Sequence, residues 1–262
     1  MRLTFGLILA IIIGLSLGLI GGGGSILAVP ILRYVMGVEP RSAIAMSLFI
    51  VGTVSIIGII PHWRQGNVNL PVAISFIPPA MVGSFLGAKI TQFPFITDTV
   101  QLVAFGIVML LASILMIKKS SAKTSTKELE KTTVKVKTIS KNKTKKIILT
   151  ITEGLVVGIL TGFVGVGGGF LIIPALVLVG GIPMKEAVGT SLLIIAAKSA
   201  SAFMGYLTLV NIDWILTIGF TFAATVGIIS GSYLSKIIDA KYLQKGFGYF
   251  VLVVAIFVLI AR

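Results

Sequence analysis

Eight apolar runs, each long enough to cross a bilayer, constrain this chain more than any other feature. They begin near residues 4, 42, 70, 98, 147, 186, 214 and 242, and two shorter runs, 25–37 and 169–181, follow clusters of glycine. A helix needs about 20 apolar residues to cross the hydrocarbon core. With 56% hydrophobic and 11% charged residues, and a mean hydropathy of +1.10, the chain lies outside the range of soluble domains. An all-α, polytopic membrane protein is expected. The N-terminal run has the basic start and apolar core of a signal peptide, but it continues into a glycine motif that recurs later, so we read it as the first span. There is no cysteine, which removes disulfides, thiolate metal sites and cysteine nucleophiles.

A shift of 144 positions lays GLIGGGGSILAVP (18–30) on GFVGVGGGFLIIP (162–174) without a gap. The matches extend well beyond these segments. Gly14, Gly18, Gly21, Gly23, Gly24, Pro30, Ser47, Ser55, Asn67, Gly83 and Gly87 fall on identical residues in the second half. Chance similarity between two apolar stretches favours Leu, Ile and Val, whereas glycine, proline and polar residues dominate here. We therefore expect two repeats, 1–117 and 147–262, each of about four long helices plus one short helix after a glycine break. Residues 118–146 join them and carry 11 of the 22 Lys and Arg residues. This tract reads as a solvated cytoplasmic linker facing an anionic inner leaflet. It has no aromatic residue to stack on bases, so nucleic acid is not the expected partner.

Repeat orientation follows from the number of crossings per half. If each short run counts as a crossing, the repeats are inverted; if it pairs with its long helix as one broken span, they are parallel 4+4 repeats. With the joint cytoplasmic, inversion places Arg64, Lys185, Lys236, Lys241 and Lys245 inside, against Arg2, Arg64 and Arg262 for the parallel plan. The charges favour inversion, the common plan of secondary transporters.

Glycine is about 1 kcal/mol worse than alanine in a helix interior, so a run of glycines in a span requires a reason. Glycines four apart, such as Gly14/Gly18, Gly83/Gly87, Gly158/Gly162 and Gly227/Gly231, suit close helix packing. Contiguous clusters suit a break, which frees N–H groups and aims the positive end of the next helix into the membrane interior. Gly22, Gly23, Gly24 and Ser25, with Gly167, Gly168 and Gly169, are therefore candidate anion-binding residues. Broken helices at matching positions of two halves point to a transport site.

The G-x-G-G-G-x-x-x-x-P element from Gly165 to Pro174, its counterpart from Gly21 to Pro30, and the sequences Ala43 to Leu48 and Ala187 to Leu192 resemble the sulfite exporter TauE/SafE family. The resemblance covers both halves and omits only the joint. It implies a multi-pass transporter in a prokaryotic plasma membrane, moving sulfur-containing anions such as sulfite, thiosulfate or organosulfonates. No cofactor is implied, and a homo-oligomer is left open.

Among polar residues within the spans, Lys198 lies mid-segment in LLIIAAKSASAFMGY, where a charge is costly and marks a functional site; snorkelling to an interface is the structural alternative. Ser47, Thr190 and Ser191 offer hydroxyl donors to an oxyanion, or back-bonds to their own helices. Glu153 is the candidate for proton coupling, against an interfacial ion pair with Lys145 or Lys146. His62, beside Trp63 and Arg64, reads as an interfacial anchor. Asn67 and Asn211 read as helix caps, and Glu39, Asp98, Glu186, Asp213 and Asp239 as caps or interface charges. No G-x-x-x-x-G-K-[ST] or H-E-x-x-H motif is present, which argues for secondary transport over an ATPase or an enzyme. A cation transporter or channel using carbonyls at the breaks is the alternative, disfavoured by the scarcity of mid-membrane carboxylates.

Overall fold

The computed structural model describes residues 2–90, 98–122, 143–164, 169–206 and 210–260, and every element among them is helical. The order is α1 (Arg2–Ile20), α2 (Gly24–Val35), α3 (Pro40–Arg64), α4 (Leu70–Ile90), α5 (Asp98–Ala122), α6 (Lys143–Val164), α7 (Gly169–Val179), α8 (Met184–Tyr206), α9 (Trp214–Ile237) and α10 (Ala240–Ile260). The eight long helices and two short ones match the apolar runs. By length and composition α1, α3, α4, α8 and α9 are each able to cross a membrane, and much of the outer surface is Ile, Leu, Val and Phe, as lipid contact requires. Helices α5 and α6 extend into the Lys-rich tract from both ends; its middle, 123–142, lies outside the described residues, as do Gly165, Gly167 and Gly168.

Each short helix carries a proline and widens into a five-residue π turn directly after it, at Ile31–Val35 after Pro30 and at Ala175–Val179 after Pro174. Proline lacks the N–H that would close an α turn and its ring crowds the preceding carbonyl, and a local π segment accommodates both.

The halves interleave. Helix α1 packs on α9, and α4 on α6, along seams where glycine replaces any side chain. A Cβ on Gly14 would stand 2.9 Å from Ala224 Cα, and one on Gly18 2.7 Å from Ser232 N. On the other seam, a Cβ on Gly158 would stand 2.9 Å from Ala80 Cα, and one on Gly162 2.7 Å from Ser84 Cα. In both seams the contacts advance in the same direction along the two helices, so each pair is parallel. The four-apart glycines are thus packing residues.

Helices α3 and α8 run antiparallel at the centre. Phe49 and Phe203 have ring centroids 5.3 Å apart, Gly52 faces Ser199, Gly58 faces Leu192, and Gly189 faces His62. Large buried side chains, among them Phe76, Phe170, Phe220 and Phe247, fill the space between the layers.

Candidate functional site

The first break centres on Gly21, whose φ of +79° only glycine adopts without strain. Its N–H donates to Leu17 O at 2.7 Å. The two short helices approach each other here: a Cβ on Gly22 would lie 2.8 Å from Phe170 Cα, and one on Gly169 2.9 Å from Ser25 Oγ. The starts of α2 and α7 therefore cross in contact, with Gly22, Gly23, Gly24, Ser25 and Gly169 all buried. Ser25 Oγ donates to Gly22 O at 2.8 Å, within its own turn.

A cavity of about 310 Å³ lies beside the C-terminal thirds of α4, α6 and α8 and the start of α3. Lys198 and Ser47 line it, joined by Thr161, Gly162, Ser84 and Tyr206. Lys198 is half-buried and its Nζ donates to Thr161 Oγ1 at 2.8 Å. Thr161 Oγ1 lies 3.0 Å from Gly158 O and 3.2 Å from Ser84 Oγ. Ser84 in turn donates to Ala80 O, and Ser47 to Ile44 O at 2.7 Å. Among the described residues no Asp or Glu lines the cavity. Its polar content is one ammonium with a run of hydroxyls beside it, a set whose charge suits a small anion better than a cation.

The remaining sequence candidates lie elsewhere. Thr190 Oγ1 accepts from Asn69 N at 2.9 Å, tying the α3–α4 loop to α8. Ser191 donates to Val188 O and lies against Gly21, on the side of the bundle away from the cavity. Glu153 is 7% exposed, with neither carboxylate oxygen hydrogen-bonded, and it faces Gly180 at the end of α7. The side chains of Lys145 and Lys146, the alternative ion-pair partners, lie outside the described residues.

Two expectations are corrected. His62 is 1% exposed, with Nε2 3.1 Å from Gly18 O. It is a buried link between α3 and α1, and Gly189 leaves room for it where α3 meets α8. The caps also sit two residues beyond the asparagines named: Asn69 Oδ1 accepts from Val72 N and Asp213 Oδ1 from Leu216 N, while Asn67 bonds Gln65. In each case the capping residue is three before the bonded N–H, as cap geometry requires.

Thr161, Ser84 and Tyr206 were not legible as site residues. Thr161 directly precedes the glycine element, but neither it nor Ser84 matches its repeat counterpart, Leu17 and Ile228 respectively. A search guided by identities between halves passes over them.

The family model for "Sulfite exporter TauE/SafE" matches residues 6–258. A "Probable membrane transporter protein" of Xylella fastidiosa is 32% identical over 255 residues, covering 95% of this chain and 91% of the relative. The "Probable membrane transporter protein YdhB" of Bacillus subtilis is 28% identical over 223 residues, covering 85% and 84%. No solved structure matches. The chain is a multi-pass membrane transporter and belongs to the sulfite exporter TauE/SafE family.

Proposed function

We propose that the protein is a secondary transporter of small sulfur-containing anions, sulfite, thiosulfate or an organosulfonate, held in the cavity beside Lys198. The observation that carries this reading is the Lys198 ammonium, half-buried in a cavity without a carboxylate and bonded to a hydroxyl alone. An anion entering there replaces water around the charge and gains hydroxyl donors from Thr161, Ser84 and Ser47 by rotation about their C–O bonds. Gly162 in the cavity wall puts the site about one turn from the second break. The anion thus sits beside that break, and the first break, Thr190 and Ser191 serve the other side of the bundle. Glu153 is the proton-coupling group in this reading.

The antiparallel register of α3 and α8 supports inverted repeats. Met184 to Tyr206 corresponds to Pro40 to His62 under the 144-residue shift, and an axis along the membrane normal would run such counterparts in the same direction. In the inverted plan the cavity faces away from the Lys-rich joint, since it lies at the far end of α6.

Purified protein in liposomes tests the reading. Radiolabelled sulfite, thiosulfate and an organosulfonate should accumulate and exchange, whereas sodium and potassium should not. Movement of cations alone would sink the anion reading.

A further inference from the structure

The open cavity and its counterpart in the other half differ in a way that marks a second anion site. Lys198, Thr161, Ser84 and Tyr206 line the cavity. Shifted by 144 positions, they become Val54, Leu17, Ile228 and His62, which are 0%, 0%, 0% and 1% exposed. Three of the four are aliphatic, and the place is closed. A Cβ on Gly58 would stand 2.9 Å from Ile228 Cγ1 and 3.3 Å from Leu192 Cδ1, so Ile228 is seated in the notch that Gly58 leaves in α3.

This closed layer is not dry in character. The Gly18 carbonyl only accepts, so His62 Nε2 carries the proton and Nδ1 is a bare acceptor. That Nδ1, with Ser16 Oγ, Ser55 Oγ and Ser232 Oγ, is buried without a hydrogen-bond partner among the described residues. Ser55 shares a face of α3 with Gly58 and His62, and Ser232 abuts Gly18. Native proteins leave few such groups unsatisfied. The two beside Gly18, on His62 and Ser232, suit a layer that is hydrated in another state of the protein.

Over this layer lies a basic pocket of about 380 Å³, lined by Arg64, Gln65, Asn67, Lys185 and Lys236. Its floor is tied to the layer below: Gln65 Nε2 donates to Ser232 O at 3.4 Å, and Asn67 N to His62 O at 2.9 Å. The ends of α3, α8 and α9 bring three cations together with no acid in the lining, and Lys185 Nζ donates only to a carbonyl, Lys236 O. Like charges gathered in a concavity focus a field that concentrates anions.

We propose that the Arg64–Lys185–Lys236 pocket is a docking site for a small oxyanion on the face opposite the open cavity, with Leu17, Val54, Ile228 and His62 forming the barrier beneath it. The proposal rests on the anion-transport reading above and supplies the other end of the path.

Because the chain has no cysteine, Gln65→Cys introduces a lone thiol into the pocket, and its rate of modification by a charged maleimide reports occupancy without any transport. In phosphatidylcholine liposomes, sulfate or methanesulfonate should slow modification about tenfold relative to chloride at equal ionic strength. Adding Arg64→Gln, Lys185→Gln and Lys236→Gln should abolish that protection. Equal rates in sulfate and chloride would overturn the docking site. So would protection by phosphatidylglycerol to which sulfate adds nothing, which would make the occupant a lipid headgroup. A thiol at Ser55→Cys, beneath the barrier, should react from the same face at least about tenfold more slowly; equal rates would overturn the barrier. Failure of protection while sulfite uptake persists refutes this site and leaves the transport reading standing, and protection without uptake does the reverse.

Discussion

Replacing Lys198 by methionine separates a transport role from a structural one, because its two effects have opposite signs. A charge at the middle of a membrane helix costs the folded protein about 2.5 kcal/mol or more. Against this, the ammonium has one hydrogen bond, to Thr161 Oγ1 at 2.8 Å, and a bond to a charged group returns about 1.5–3 kcal/mol. The lysine therefore contributes close to nothing to stability. Methionine is comparable in length and helix propensity, and Thr161 keeps its contact with Gly158 O. Lys198→Met should match the wild type in an unfolding titration in detergent, or exceed it by about 1 kcal/mol. A bound oxyanion, in contrast, loses a charge-assisted bond worth about 1.5–3 kcal/mol, which weakens binding by about 10- to 150-fold. Sulfite uptake into liposomes should show that loss mainly as a raised KM, and Lys198→Arg, which keeps the charge on a bulkier head, should fall between. A Lys198→Met variant that unfolds more than 1 kcal/mol earlier yet transports with KM within about twofold would refute the reasoning.

Three further outcomes follow from the packing. Gly158→Ala should destabilise by about 1–2 kcal/mol, since overpacking costs about 1–3 kcal/mol and helix propensity returns up to about 1. Gly246→Ala, where a Cβ meets nothing within 4 Å, should be neutral or stabilising, and equal behaviour in the same unfolding titration would show the α4–α6 seam to be loose. Asn69→Ala removes the α4 cap and the 2.6 Å bond to Glu186 Oε1; thermal unfolding should show a loss of about 1–2 kcal/mol, and no loss would mean the loop is held by other contacts. Glu153→Gln should abolish accumulation driven by a pH gradient while sparing anion exchange, and unchanged gradient-driven accumulation would remove Glu153 from coupling.

The helices were legible because lipid permits so few alternatives. Runs of about 20 apolar residues became helices at nearly the positions read, whereas the π turns after Pro30 and Pro174 were not read. Lys198 was legible for the same reason, a charge with no cheap explanation. The errors lie where tertiary contact overrides local pattern. His62 sits in IIPHWRQGN, which reads as an interface, and its burial depends on distant residues, Gly189 leaving space beside it and Gly18 O bonding its ring. Which residues share the cavity was not legible either, since Thr161 and Ser84 come from helices that pair across the halves, and no local pattern encodes that pairing.

Most glycines identical between the halves serve packing, and the reason is physical. The glycines at 14, 18, 83, 87, 158, 162, 227 and 231 lie in seams where a side chain would strike backbone. Both copies are under the same constraint, so both keep glycine. In the proposed function a transport cavity that is open on one side and closed on the other asks different things of its two copies: Lys198, Thr161 and Ser84 would meet the anion, and their counterparts Val54, Leu17 and Ile228 are buried and aliphatic. Apart from Ser47, the polar groups of that reading therefore stand at divergent positions. Exchanging one pair tests the division of labour: with Lys198→Val and Val54→Lys together, the ammonium moves from the hydroxyl-lined cavity into a closed layer lined by Leu17 and Ile228. There the ammonium loses its bond to Thr161 and faces Leu17 and Ile228, and a charge within a span costs at least about 2.5 kcal/mol, so the exchanged protein should be less stable than Lys198→Met and should not regain transport. Full activity in the exchanged protein would mean that the two places are equivalent and that their asymmetry carries no function.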